Sequence, residues 1–246
     1  MINAVIFDLD GTLIETEKLK AQAYAKAAIE LCPDQLSEEE VLKAYGDFVG
    51  SSRAELASGL MERFNLEEPA RQRMDEFGAS QPWQVFTRLR LEILEEMMKD
   101  EDLLRSHQRV QPLSFLQTVR SWGCKAGLAT MSRCQQVTRT LKVLGLENAF
   151  DFIATIEDVT NPKPDPEIYC LVAKALGVPP EECMVLEDSL AGVRAGQAAG
   201  AKVVAIVTSL TRDKIHQAED VSPDHIVDDP DQLEAAIDRL MAQYNA

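Results

Sequence analysis

The stretch Asn3-Ala4-Val5-Ile6-Phe7-Asp8-Leu9-Asp10-Gly11-Thr12 decides how the rest of the chain is read. Residues 3–7 have the apolar, β-branched and aromatic character of a short buried strand, and they run without a turn into Asp8. Open α/β sheets carry their sites at the carboxyl ends of their strands, so Asp8 and Asp10 are expected to emerge into a crevice. The two-residue period of a strand gives both carboxylates the same side. A carboxylate so placed can attack phosphorus and form an aspartyl-phosphate. A second one beside it can protonate the leaving oxygen and later deprotonate water. The bland alternative is a solvated Asp-x-Asp-Gly turn, and the partners found further along the chain weigh against it.

Similar apolar runs recur at 126–130, 152–155, 184–186, 203–207 and 225–227. Helical patterns lie between them at 114–122, 135–144, 166–176 and 190–199, and 231–243 makes a closing helix. Asp165 before Pro166 has the look of an N-cap with proline at the first helical position, and Gly177 that of a C-cap. Short strands alternating with such helices imply an α/β fold with a parallel, doubly wound (Rossmann-like) sheet. Residues 17–104 are different: Ala, Leu, Glu, Lys and Arg dominate, with apolar positions three or four apart. Breaks fall at Cys32–Pro33, Gly46–Ser52, Glu68–Pro69 and Ser80–Pro82. The expected organisation is therefore a core of 1–15 plus 108–246 and an inserted helical cap domain of 16–107, seated over the carboxyl end of the sheet. Within that insertion Trp83, Phe86 and Leu89–Leu91 read as apolar core.

Of 246 residues, 46% are hydrophobic and 27% charged, which excludes wholesale disorder. The formal net charge is −16 and neither the insertion nor the remainder is basic, so nucleic acid and anionic membranes are poor partners. The five cysteines include no CxxC pair and only His107, His216 and His225 accompany them, so no zinc set forms. No apolar segment approaches the roughly 20 residues of a membrane span, and no secretory pattern opens the chain. A cytoplasmic protein, monomeric or weakly self-associating, is the expectation.

Attack by Asp8 on a phosphate faces repulsion of about 4 kcal/mol per charge pair at roughly 4 Å and an effective dielectric near 20, and about twice that for a dianion. Cations must offset it. Glu187-Asp188, after the strand at 184–186, forms with Asp8 an all-oxygen set suited to Mg²⁺. Lys163, in a proline-rich loop, can neutralise nucleophile and phosphate together. Thr130 offers a hydroxyl and a backbone N–H to a phosphate oxygen, with Ser132 nearby.

In its order of acid pair, hydroxyl, lysine and acid pair, the chain resembles the haloacid dehalogenase-like hydrolase superfamily, through DLDGT (8–12), Thr130, Lys163 and LEDS (186–189). KPDPEIY (163–169) and LEDSLAGVRAGQAAG (186–200) make it most similar to the β-phosphoglucomutase and phosphoglycolate phosphatase-like branch. The resemblance implies Asp8 as nucleophile and Asp10 as general acid/base, with the Asp10 backbone carbonyl also reaching Mg²⁺. It implies Thr130 and Lys163 on the phosphoryl group, Asp188 as metal ligand, and Glu187 assisting directly or through water. Dehalogenases of the superfamily lack the second aspartate, so Asp10 argues for phosphoryl transfer.

Phosphohexomutases of this branch resemble the chain at GSSR (50–53), which implies that Arg53 meets a substrate's distal phosphate, with Arg90 as a second basic cap residue. The mutase histidine is replaced by Lys20, which cannot take a near-neutral proton role without a large pKa shift. The expected function is thus a Mg²⁺-dependent phosphatase of a small phosphorylated metabolite, a sugar phosphate foremost. A phosphosugar mutase is the alternative. A catalytically idle binding module would have lost a motif carboxylate, and all are intact.

Overall fold

Ala4–Phe7 forms β1, and its four residues are fully enclosed. In the computed structural model, which describes residues 1–33, 35–48 and 53–244, five helices follow it: α1 (Thr16–Leu31), α2 (Glu38–Gly46), α3 (Arg53–Arg63), α4 (Glu67–Gln72) and α5 (Pro82–Met97). Then come α6 (Glu101–Ser106), α7 (Val110–Ser121), β2 (Lys125–Ala129), α8 (Cys134–Leu144), β3 (Phe152–Ala154) and α9 (Glu167–Leu176). The chain closes with β4 (Cys183–Glu187), α10 (Leu190–Ala199), β5 (Lys202–Ile206), α11 (Arg212–His216), β6 (Ile226–Val227) and α12 (Leu233–Tyr244).

The six strands are all parallel, in the order β3-β2-β1-β4-β5-β6. This is the Rossmann order, in which the connection from β1 leaves in one direction and later strands are added in the other. One face of β1 sends Ile6 into a cluster with Ile168, Tyr169, Val172 and Leu176 of α9. The other face packs Phe7 against Phe115 of α7 and Phe150, with ring centres 6.2 and 6.0 Å apart. Enclosing a side chain of this size is worth about 1.5–3 kcal/mol.

Most element ends fall within one residue of the sequence-based expectation. The closing helix starts two residues late, at Leu233; two other helices depart further, and in both a proline sits in the first turn, where a missing N–H costs nothing. α7 starts at Val110 and takes in Pro112, and α4 runs through Pro69, where a break was expected. At α9, Pro166 is the cap and Asp165 accepts from the Glu167 N–H at 3.0 Å, so the capping function survives one residue later than read. α11 was not anticipated; five residues carry too little periodicity to announce it.

The chain divides into two compact units, Met1–Glu15 with Leu104–Ala246, and Thr16–Leu103. The second seam therefore precedes the expected boundary after residue 107. Residues 104–107 go with the sheet because Leu104 is fully buried and the His107 carbonyl accepts from the Glu15 N–H at 2.8 Å. In the helical unit, alanines at 21, 23, 25, 27 and 28 of α1 are buried and let neighbouring helices approach. Tyr24 meets Phe86 of α5 edge-on at 5.4 Å and Tyr45 of α2 at 5.8 Å. Phe86 and Leu89 are buried there, as expected for core. Among the described residues, no helix is long and apolar enough to cross a membrane.

Candidate active site

The register of β1 places Phe7 opposite Leu128 of β2 on one side and Leu186 of β4 on the other. One step further, Asp8 lies between the ends of both neighbours, and its N–H donates to the Leu186 carbonyl at 3.0 Å. Lys163, from the loop before α9, is enclosed beside it. Its ammonium donates to Asp8 Oδ1 at 2.7 Å, Glu187 Oε1 at 2.6 Å and the Ala129 carbonyl at 3.0 Å. One cation thus joins the ends of β1, β2 and β4.

Burial works against the charge of Lys163, but the carboxylates of Asp8 and Glu187 outweigh it and hold its ammonium protonated well above the usual lysine range. Asp8 is different. Burial pushes its carboxyl up to about 8; Lys163 pulls it down, while Glu187 and Asp10 push it further up. A single ammonium does not offset so many carboxylates. Ligand oxygens of Asp8, Glu187 and Asp188, all buried, lie within 4.8 Å of one another. An all-oxygen, anionic donor set with too little positive charge fits a hard divalent cation such as Mg²⁺.

Asp10 is held by hydroxyls. Ser132 Oγ donates to its Oδ2 at 2.6 Å and Thr130 Oγ1 to the same oxygen at 3.2 Å. The Ser132 N–H in turn donates to Thr130 Oγ1 at 3.1 Å. Thr130 and Ser132, two of the three residues expected on the phosphoryl group, therefore stand just after β2 and also fix the second carboxylate. The turn beyond it depends on Gly11, whose φ is +90°, a region that side chains avoid. A Cβ there would lie 2.0 Å from Asp188 Oδ2, so the Asp188 carboxylate packs directly on the glycine.

The chemistry-bearing residues of four separate segments meet at one end of a parallel sheet, in the order read from the sequence. A family model for haloacid dehalogenase-like hydrolases matches residues 5–206. The chain belongs to the haloacid dehalogenase-like hydrolase family. Within it the chain is a phosphatase, a hydrolase of phosphoric esters. It is 32% identical over 209 residues to the pyrophosphatase PpaX of Bacillus pumilus, covering 85% of each chain. It is 31% identical over 217 residues to the phosphorylated carbohydrates phosphatase of Thermotoga maritima, covering 87% of this chain and 89% of that one. Among solved structures, CbbY from Rhodobacter sphaeroides in complex with phosphate is similar with a TM-score of 0.67 and 26% identity, covering 97% of this chain and all of that one.

Relative to other positions of the haloacid dehalogenase-like motifs, Glu187 stands out by the number of donors it satisfies. Its Oε1 accepts from Lys163 and from the Tyr169 hydroxyl at 3.0 Å. Its Oε2 accepts from the N–H groups of Asp188 and Ser189 and from Ser189 Oγ, each at 2.9 Å. In this arrangement Glu187 orients Lys163 more than it offers free oxygens. Sequence reasoning missed Tyr169, although it closes the KPDPEIY stretch. A tyrosine on the buried face of a helix reads as core, and here it is core with one hydroxyl aimed at a carboxylate.

The helical unit holds the three other basic residues singled out. Lys20 donates to Glu17, which also accepts from the Tyr45 hydroxyl at 3.2 Å. Arg90 is 6% exposed, with its guanidinium 4.8 Å from the centre of the Tyr24 ring. Burial draws the pKa of Arg90 down, and its Nε has no hydrogen-bond partner among the described residues. Its side chain is thus enclosed against the Tyr24 ring. Arg53 is exposed at the start of α3, while Gly50, Ser51 and Ser52 of the GSSR stretch lie outside the described residues.

Proposed function

We propose that this phosphatase is Mg²⁺-dependent and hydrolyses a small phosphorylated metabolite, foremost a sugar phosphate, through an aspartyl-phosphate on Asp8. The observation that carries the reading is the buried Asp8 at the end of β1, 2.7 Å from Lys163 and grouped with Glu187 and Asp188. The named activity of the Thermotoga maritima relative on phosphorylated carbohydrates supports the substrate class.

In the first step an Asp8 carboxylate oxygen bonds to phosphorus as the bond to the ester oxygen breaks. Asp10, protonated at the outset, gives its proton to the departing alcohol. In the second step water bonds to phosphorus, the bond to Asp8 breaks, and the proton of the water goes back to Asp10. Ser132 and Thr130 keep the Asp10 carboxyl in place for both transfers, and their hydroxyls are at hand for phosphoryl oxygens. Lys163 holds its proton throughout and neutralises the nucleophile and the transferred group. Asp8 and Asp188 would hold Mg²⁺, with Glu187 supporting, and the bound ion supplies the positive charge that lowers the repulsion between carboxylate and phosphate.

Arg53 is assigned to a second anionic group of the substrate. The mutase alternative needs a residue in the place of Lys20 that exchanges protons near neutrality, and the bond from Lys20 to Glu17 favours a fixed ammonium instead. The test is a panel of sugar phosphates, with pyrophosphate included, assayed for phosphate release in Mg²⁺ and again in a chelator. Release from a sugar phosphate that stops on chelation is expected. Release from none of them, or release indifferent to chelation, would overturn the assignment. With a hexose 1-phosphate and a trace of bisphosphate, free phosphate should accumulate rather than the 6-phosphate.

A further inference from the structure

Arg109 carries no role in any reading so far, yet it is one of the few buried charges in the molecule, at 7% exposed. It caps α7, and its N–H donates to the Leu13 carbonyl at 2.9 Å. Its guanidinium turns inward and donates to the carbonyls of Gly11 at 2.5 Å, Ile206 at 3.3 Å and Val207 at 3.4 Å. No carboxylate is hydrogen-bonded to it among the described residues. A buried cation satisfied only by carbonyls is costly, and a packed apolar side chain would close the same gap more cheaply.

We propose that Arg109 is a positioning residue that sets the metal affinity of the site by fixing the Gly11 peptide beneath Asp188. The Gly11 N–H donates to the Ile14 carbonyl at 2.7 Å and its carbonyl takes the Arg109 guanidinium, so the turn is gripped from both sides. The Asp188 carboxylate rests on that turn, closely enough that a Cβ on Gly11 would lie 2.0 Å from it. If the turn shifts, Asp188 shifts with it and the spacing of the oxygen set changes. Burial draws the pKa of Arg109 down, and the charges of Asp188 and then Glu15 offset part of that effect. Arg109 thus faces Asp188 through charge and through the Gly11 turn, whereas Lys163 donates to Asp8 directly.

Two effects of opposite sign make the proposal testable. Charge alone would make Arg109 repel a divalent ion, so its removal would tighten binding. Positioning makes removal loosen binding, by about tenfold to a hundredfold for a residue behind a metal ligand. The inference rests on the reading of Asp8 and Asp188 as metal ligands. The experiment is calorimetric titration of the full chain with Mg²⁺ alone, for wild type, Arg109→Met and Arg109→Lys. Arg109→Met should bind about tenfold or more weakly and recover most of its turnover at saturating Mg²⁺, which a merely structural defect would not do. Arg109→Lys, which keeps the charge but reaches fewer carbonyls, should lie between, and it carries the test should Arg109→Met not fold. Unchanged or tighter binding in either variant would overturn the proposal. Absence of binding by the wild type would overturn the metal reading itself, and this inference with it.

Discussion

Asp8 concentrates the physical tension of the molecule in one side chain. Its carboxyl is pushed up to about 8, first by burial and further by Glu187 and Asp10, with Lys163 in opposition. In the chelated protein the native state therefore keeps a proton on Asp8 that the unfolded chain releases near pH 4. Between those values the unfolded state binds fewer protons, so this group's contribution to stability falls as pH rises. Asp8→Asn removes the titration. In EDTA, chemical denaturation should find the variant close to wild type at low pH and more stable at pH 8, by up to a few kcal/mol at about 1.4 kcal/mol per pH unit. A gap that does not change with pH would contradict the burial of this charge. The meeting of Asp8, Asp10, Lys163 and Asp188 at one end of the sheet was legible because each residue type follows a strand or sits in a proline loop in a fixed order. Tyr169 and Arg109 were not, because a buried tyrosine and a lone arginine look the same in sequence whether they fill space or grip a partner.

Elements position these residues through close approaches as much as through hydrogen bonds. α10 is capped by Ser189, whose hydroxyl accepts from the Gly192 N–H at 3.1 Å, and the Glu187 carboxylate lies over the first turn. A Cβ on Gly192 would fall 1.7 Å from Glu187 Oε1. Gly192→Ala should destabilise by about 1–3 kcal/mol and slow turnover, since Glu187 cannot move without Lys163. Gly46→Ala, at the end of α2, meets nothing within 4 Å and should be neutral in the same thermal melts. Equal effects of the two would show that the packing over Glu187 does not matter. The sheet was legible at this scale because each buried strand is a short apolar run bounded by turn chemistry. What the sequence hid were the two first-turn prolines in α4 and α7, where a residue known as a helix breaker is tolerated.

At the scale of the whole chain, the net charge of −16 misleads about the ligand. Most of that excess is ordinary solubilising surface, whereas four of the acidic residues, Asp8, Asp10, Glu187 and Asp188, are gathered at one end of the sheet with Lys163 and Arg109 as local counter-charges. An acidic protein is thereby equipped for a small anion at one place. The insertion was recognisable from its change of period, but its second seam was not. That seam depends on Leu104 being buried and His107 pairing with Glu15, contacts that no local pattern encodes. The most direct test of the whole reading is covalent. The protein is mixed with Mg²⁺ and an aryl phosphate, quenched in acid during turnover, and the peptide bearing Asp8 is weighed by mass spectrometry. One phosphoryl group on Asp8, absent from Asp8→Asn together with all turnover, is the expected result. Turnover by Asp8→Asn at the wild-type rate, or a phosphoryl group on another residue, would contradict it.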